Sequence, residues 1–547
     1  MIGLTRHLPV LPVVLPLITG AVLLLLAETR RLPRLLITLS SMLAQLATAI
    51  AMVWITSDLV PGIWPEGIGV YAIGDWRAPV GIVLVVDRLS ALMVLVNSIL
   101  ALASVVYSIG RWDRMGVHYH SLLQFLLVGL NGAFLTGDLF NLFVFFEILL
   151  AASYALLLHG GGPQRTKMSL HFVAVNLTAS FAFLLGVAMI YSVAGTLNMA
   201  EIAVRWRAMS ADDHNIAEAG AAILSIAFLV KAAGWPLGFW LPGAYHAAGA
   251  PIAAMFAITT KVGVYAILRA SSLLEDASTP FGGVWLYYLA LATMVYGIVG
   301  MLASRQLTRL VAFVVILSSG TILAAVGSGE RAMIAPALYY MLGSVFATAA
   351  FFLLTGMAER LRQAPARLEE VAVTPPPTYT AFAVGEPPDP YSPDDEVGVA
   401  LPAATAFLGL AFVFCALLVT GLPPLAGFIA KFSLVAAAID ALPAPGSSGS
   451  SFGSEWLLII ALLGGGLAGL IALSRVGMRL FWSSAGRQTP RLWISEAAPV
   501  AFLILICVAL TVAAGPAMTY LDSAAAALDR PEAYIRNVLG LDDGAGR

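Results

Sequence analysis

A chain of 547 residues with 60% hydrophobic and 11% charged residues and a mean hydropathy of +0.90 is not an ordinary soluble protein, which carries about 25% Asp, Glu, Lys and Arg. Its 29 basic and 31 acidic residues leave no basic face for nucleic acid and no disordered acidic composition. The two cysteines, Cys415 and Cys507, each lie in an apolar run, which excludes a disulfide framework and a multi-cysteine metal or iron–sulfur site. No cofactor is expected.

About 20 apolar residues cross the hydrocarbon core of a bilayer. By that measure, segments are predicted near 8–27, 35–56, 82–109, 119–136, 139–158, 169–193 and 217–246. Seven more follow near 250–270, 283–303, 306–326, 331–358, 400–440, 456–481 and 496–520. The first has Arg6 before it but no convincing cleavage site before the basic run at Arg30, Arg31 and Arg34, so it reads as a retained helix and not as a signal peptide. The runs are too long for barrel strands, which alternate over about ten residues. The fold expected is all-α, a polytopic bundle of about fourteen transmembrane helices.

Connections on the cytoplasmic side collect Lys and Arg. Connections 1–2, 3–4 and so on to 13–14 hold 16 basic residues, and the opposite side, with both termini, holds 10. Both termini are therefore expected outside. One insertion, 359–399, replaces the apolar pattern with eight prolines and eight acidic residues; it cannot bury a core and reads as a cytoplasmic linker in preference to a docking segment. The tail after Leu521 is expected to form an interfacial helix.

The remaining basic residues are Lys231, Lys261 and Lys431, each inside a predicted membrane segment, and the chain has only four lysines. Arginine stays charged, whereas a desolvated lysine can gain and lose a proton near neutrality. Snorkelling to the headgroups is the bland alternative, but Lys231 lies about 21 Å and Lys261 about 16 Å into their segments at 1.5 Å per residue. Lys431 lies nearer a helix break. The intramembrane acid is Glu147, whose partner must come from another helix, and Lys231 has the matching depth. Asp138 sits at the segment edge and reads as an N-cap.

Two segments are interrupted alike, at Gly234-Trp235-Pro236 and at Gly421-Leu422-Pro423-Pro424. Proline removes a backbone donor and frees a carbonyl, which lipid tolerates only where protein or water satisfies it. Paired broken helices point to an ion pathway built from repeats. The breaks fall five segments apart, so helices 4–8 (111–275) repeat as helices 9–13 (276–481), and an odd repeat is inverted. Residues 1–110 hold helices 1–3, and 482–547 hold helix 14 and the tail. His246 follows the first break and lies in sequence between Lys231 and Lys261; it reads equally as a proton carrier or as a structural histidine.

The run Gly137-Asp138-Leu139-Phe140-Asn141-Leu142-Phe143-Val144-Phe145-Phe146-Glu147, with Ala194–Ala200, Thr260–Tyr265 and Gly421–Phe428, resembles the D-type subunit of Mrp-type, or Pha-type, cation/proton antiporters over nearly the whole chain. That family is similar to antiporter-like subunits of respiratory complex I and of membrane-bound hydrogenases, with fourteen core helices and two inverted five-helix repeats. The resemblance implies that Glu147 and Lys231 form an ion pair and that Lys261 and Lys431 continue a proton path, with His246 at the connecting position. It also implies other membrane subunits as partners, protons and monovalent cations (Na+ or K+) as cargo, and the inner membrane of a bacterium as location. It implies a secondary transporter and not an enzyme. The rival expectations are a redox-driven pump module of a quinone oxidoreductase or hydrogenase, and a scaffold whose buried charges set helix register.

Overall fold

The computed structural model describes residues 5–57, 62–274, 283–363, 403–442, 454–481 and 492–541. The acidic, proline-rich segment expected at 359–399 lies outside the described residues from 364 onward.

The crossing helices are α1 (Leu11–Leu25), α2 (Arg31–Thr56), α3 (Arg88–Ser108), α4 (Tyr119–Leu135), α5 (Leu139–Leu158), α6 (Pro163–Ala194), α7a (Ala211–Ala232) with α7b (Leu241–Ala247), and α8 (Ala250–Leu274). There follow α9 (Gly283–Ala303), α10 (Leu307–Gly327), α11 (Ile334–Gln363), α12a (Ala403–Thr420) with α12b (Ala426–Asp440), α13 (Ser454–Phe481) and α14 (Ile494–Val512). Counting the two parts of α7 as one, thirteen of the described helices are long and apolar enough to cross a membrane, and α4, with 17 residues, is the shorter fourteenth. The protein is a multi-pass membrane protein.

Local chemistry sets several of these limits. Asp87 starts α3 with a capping box to Ser90, satisfying donors that a helix end leaves free. That start corrects one expectation. The apolar run from 82 does not belong wholly to the third helix, because Val83–Val86 forms a strand, β2, antiparallel to β1 (Gly69–Ala72), with Gly69 opposite Val86. All four β2 residues are buried, and hydropathy does not distinguish a buried strand from helix. The last segment also ends earlier than expected. Ala513 leaves helical geometry (φ −96°, ψ 28°) and a separate helix, Ala514–Asp529, follows.

The start of the first described segment and the end of the last sit at one end of the bundle. Arg6 pairs with Asp75 at 2.5 Å. In the tail helix Glu532–Leu539, Arg536 pairs with Glu66 at 2.6 Å and Asn537 Nδ2 donates to Glu66 Oε2 at 3.1 Å. The tail thus covers the loop between α2 and α3.

Burial identifies the axis of the bundle. In their most apolar stretches, 94% of α8 and of α11 and 89% of α10 is buried, against 28% of α14. Helices α8, α10 and α11 are therefore shielded from lipid by protein, where a polar side chain has protein partners within reach. The two halves also share a packing device. A Cβ on Gly129 would stand 2.6 Å from Leu149 N and one on Gly132 2.2 Å from the Phe145 ring, bringing α4 against α5. At the same spacing, a Cβ on Gly297 would meet Leu317 N at 3.0 Å and one on Gly300 the Phe313 ring at 2.1 Å, between α9 and α10.

Candidate functional site

Glu147 is positioned from the end of α5 that lies nearest the termini. Asp138 caps α5, its carboxylate accepting from Asn141 N at 2.8 Å. The same strip of backbone is stitched to the Ala194–Ala200 motif: Leu139 N donates to Leu197 O at 2.9 Å and Met199 N to Gly137 O at 2.8 Å. Asn198 in turn caps the next short helix through Ala200 N and Glu201 N. Two motifs far apart in sequence thus form one junction that fixes where α5 begins, and with it the depth of Glu147.

The half-buried Glu147 carboxylate accepts a short hydrogen bond from Ser180 Oγ on α6. Lys231, in the last turn of α7a, places its ammonium 5.5 Å from the centroid of the Phe146 ring, a cation–π contact. The two charges do not form a contact ion pair within 4.0 Å, yet Glu147 is near enough for its charge to act on Lys231. Beside Lys231 a cavity of about 20 Å³ is lined by Ser153, Asn176, Trp240 and Thr259 among others. That volume holds about one water, with polar partners from α5, α6 and α8.

The first break is closed by local donors. Ala233 takes the left-handed conformation (φ 58°) and Gly234 N bonds back to Leu229 O at 2.8 Å. Trp240 Nε1 donates to the Val230 carbonyl at 3.1 Å, and Trp235 N donates to Thr293 Oγ1 at 2.8 Å. Helix α8 comes directly against this end, since a Cβ on Gly263 would lie 2.5 Å from Ala232 N.

Two residues before Gly263, Lys261 is 1% exposed. Its ammonium donates to Ser318 Oγ and Ser319 Oγ on α10, each at 3.0 Å. Ser318 shares a 2.8 Å hydrogen bond with Ser344 on α11, and α11 packs on both α8 and α12b. At the second break Gly421 has φ 74°, and Lys431 reaches back from α12b to Thr420 O at 2.8 Å and Val419 O at 3.4 Å. The lysines fall on opposite sides of their breaks in sequence. Lys231 belongs to the last turn of the first half-helix and Lys431 reaches back to the carbonyls of the last turn of its own first half-helix, the end at which the helix dipole favours a cation.

His246 ends α7b at the opposite end of the bundle from the termini, within electrostatic reach of Glu359 at the end of α11 and Arg309 at the start of α10. Its Nδ1 has no hydrogen-bond partner, Thr308 Oγ1 donates to Glu359 at 3.1 Å, and among the described residues no hydrogen bond joins His246 to Lys231 or Lys261. Sequence reasoning did not identify Ser180, Ser318, Ser319 or Ser344, because serine carries no signal until the fold brings it to a charge. It also counted Arg269 and Arg360 as loop charges. Arg269 pairs with Asp87 at 2.7 Å at one end of the bundle, and Arg360 pairs with the fully buried Glu496 at the other.

The family model for the transmembrane region of NADH:quinone oxidoreductase/Mrp antiporter proteins matches residues 136–385. A probable K+/H+ antiporter D-type subunit of Rhizobium meliloti is 46% identical over 537 residues, 97% of each chain. The chain belongs to the family of Mrp-type antiporter D-type subunits. A Na+/H+ antiporter D-type subunit of Bacillus subtilis is 32% identical over 97% of this chain and 99% of its own. Among solved structures, the Mrp complex of Dietzia sp. matches with a TM-score of 0.79 at 25% identity, covering 98% of this chain and all of that one. Respiratory complex I of Thermus thermophilus shares the fold, with a TM-score of 0.70 at 22% identity over 96% of this chain and 99% of that one.

Proposed function

We propose that this D-type antiporter protein carries protons for a multisubunit monovalent cation (Na+ or K+)/proton antiporter, in company with other membrane subunits. The observation that carries the reading is the placement of four ionisable groups, Glu147 within α5, Lys261 on the buried α8, and Lys231 and Lys431 at the two helix breaks, each with hydroxyl, carbonyl or cavity neighbours. The names of its relatives support the same reading. Glu147 passes a proton to Lys231, which lines the one-water cavity; Lys261 receives it on α8, and the Ser318–Ser344 pair leads toward Lys431 across the junction of the halves. Lysine suits each step because, unlike arginine, it can give up its proton when desolvated.

The transport unit of this reading is the pair of repeats 111–275 and 276–481, supported by the matched glycine packing of α4 on α5 and α9 on α10. His246 belongs to it as a terminal group of the path, at the end of the bundle opposite the termini and within electrostatic reach of Glu359. The chain works as a secondary transporter subunit in the inner membrane of a bacterium, with both termini outside, as the excess of basic residues in the connections between them supports.

The test is cation-dependent proton movement in vesicles carrying the whole complex. Glu147→Gln or Lys231→Ala abolishes it while the complex still assembles; full activity of the assembled double variant would overturn the reading. A redox-driven pump is the second reading, favoured by the shared fold with a membrane-bound sulfane sulfur reductase, TM-score 0.79 at 22% identity. Co-purification with iron–sulfur subunits, in place of small membrane proteins alone, would decide for it.

A further inference from the structure

Helices α1–α4 hold a buried chain of carboxamides apart from the lysine axis. It begins at a proline. Pro16 lies inside α1 and has no N–H, so the Pro12 carbonyl one turn earlier loses its helical partner. Asn131 on α4 takes that carbonyl through Nδ2 at 2.8 Å and reaches Gln45 Oε1 on α2 at 3.3 Å. Gln45 Nε2 donates onward to Gln124 Oε1 at 3.3 Å and to Ser41 Oγ at 3.2 Å. At the other side, Asn97 Nδ2 on α3 donates to Asn131 Oδ1 at 2.8 Å.

Asn97, Gln124 and Asn131 are 0% exposed and Gln45 is 1% exposed. Every donation runs the same way, from Asn97 through Asn131 and Gln45 to Gln124, so the amide dipoles align head to tail and polarise one another. The chain is open at both ends: Asn97 Oδ1 and Gln124 Nε2 have no partner. A buried carbonyl left without a partner is costly. Asn97 Oδ1 is the negative end of the aligned dipoles, and it is closed off from bulk water.

We propose that the Asn97 end of this chain binds a dehydrated monovalent alkali cation, so that α1–α4 carry a cation site separate from the lysine axis. Neutral amide and carbonyl oxygens are the ligands that replace the hydration shell of such ions. Carboxamides do not titrate, so this chain cannot relay protons by acid–base steps. The lysine axis repels cations when it is protonated. The two tracks divide the two cargoes by chemistry: titratable side chains for the proton, neutral oxygens for the metal ion.

The inference rests on the antiport reading, and its test separates the two. In the assembled complex, Asn97→Leu raises the half-saturating concentration of the transported cation by about tenfold or more, the equivalent of one lost ligand, with the pH profile of proton movement unmoved. Asn97→Asp lowers that concentration. A purely structural amide chain would leave the cation dependence unchanged in any assembled variant, which would overturn the proposal. Density maps of the wild-type complex with saturating Rb+ and with no alkali cation decide the case if neither variant assembles: density beside Asn97 Oδ1 only with Rb+ supports the site, and its absence overturns it. If the wild-type complex shows no antiport, the functional reading fails by itself and the maps still judge the site.

Discussion

Lys431 and Thr420 are joined by a 2.8 Å hydrogen bond from the ammonium of the second half-helix to a carbonyl in the last turn of the first. The break at Gly421 frees carbonyls that lipid cannot satisfy, and Lys431 itself satisfies two of them. In the proposed relay, stability and proton transfer meet in this one side chain. When Lys431 releases its proton, it keeps two N–H donors and can hold Thr420 while changing charge.

Substitution separates those roles. Lys431→Met should abolish proton movement and lower stability by about 1–3 kcal/mol, the cost of a buried carbonyl left unpaired. Lys431→Arg keeps donors at the break but cannot release a proton. It should recover most of the stability and none of the transport. Thermal unfolding of the purified complex, beside antiport in vesicles, checks both; transport by Lys431→Arg at the native rate would contradict the relay role.

Ser180 is the direct partner of Glu147, so the carboxylate is held by a hydroxyl from α6 while the Lys231 ammonium rests over Phe146. Removing a hydrogen bond to a charged group costs about 1.5–3 kcal/mol. If that loss falls on the transport step, Ser180→Ala slows antiport by about 10–100-fold. Ser180→Thr keeps the donor and should stay within a few-fold of the native rate. Vesicle assays of both variants give the comparison.

Two glycines set how closely the half-helices approach. A Cβ on Gly238 would stand 2.2 Å from Ala233 O, and one on Gly427 2.0 Å from Leu418 O. Both obstacles are backbone and cannot swing aside. Gly238→Ala and Gly427→Ala should each destabilise by at least about 1–3 kcal/mol, as overpacking does. Gly464→Ala and Gly343→Ala serve as controls, since nothing lies within 4 Å of a Cβ at either position. Yield and melting temperature of the four complexes should divide two against two.

The sequence carried the bundle because each crossing is a long apolar run, and helices bounded by strong signals were legible to the residue. α5 begins after the Asp138 cap and spans Leu139–Leu158, and α9 spans Gly283–Ala303, both as expected from hydropathy. β2 was not legible, because only Asp87 and Arg88 part Val83–Val86 from the next apolar run, and its pairing with β1 is what identifies it as a strand. The buried lysines stood out because lysine is so rare in this chain. Their partners did not, since Ser318 and Ser344 become notable only where α10 and α11 meet. His246 shows the limit of chain proximity: it lies between two lysines in sequence, while among the described residues no hydrogen bond joins it to either and its ring Nδ1 has no hydrogen-bond partner.

The hydroxyl pair next to Lys261 allows the sharpest test of direction. Lys261 has two equal donations, to Ser318 and to Ser319 at 3.0 Å each, but only Ser318 continues to Ser344 at 2.8 Å. If the path crosses between the halves through hydroxyls, the two serines are equivalent as partners and unequal as conductors. Ser318→Ala should slow proton movement by about tenfold or more, the value of about 1.4 kcal/mol on one step. Ser319→Ala leaves the link to α11 in place and should have a smaller effect. Both variants remove one hydrogen bond from the same ammonium, so their melting temperatures should fall by similar amounts. Proton uptake that drops equally in the two would show that the serines only hold Lys261, and that the step toward Lys431 runs elsewhere.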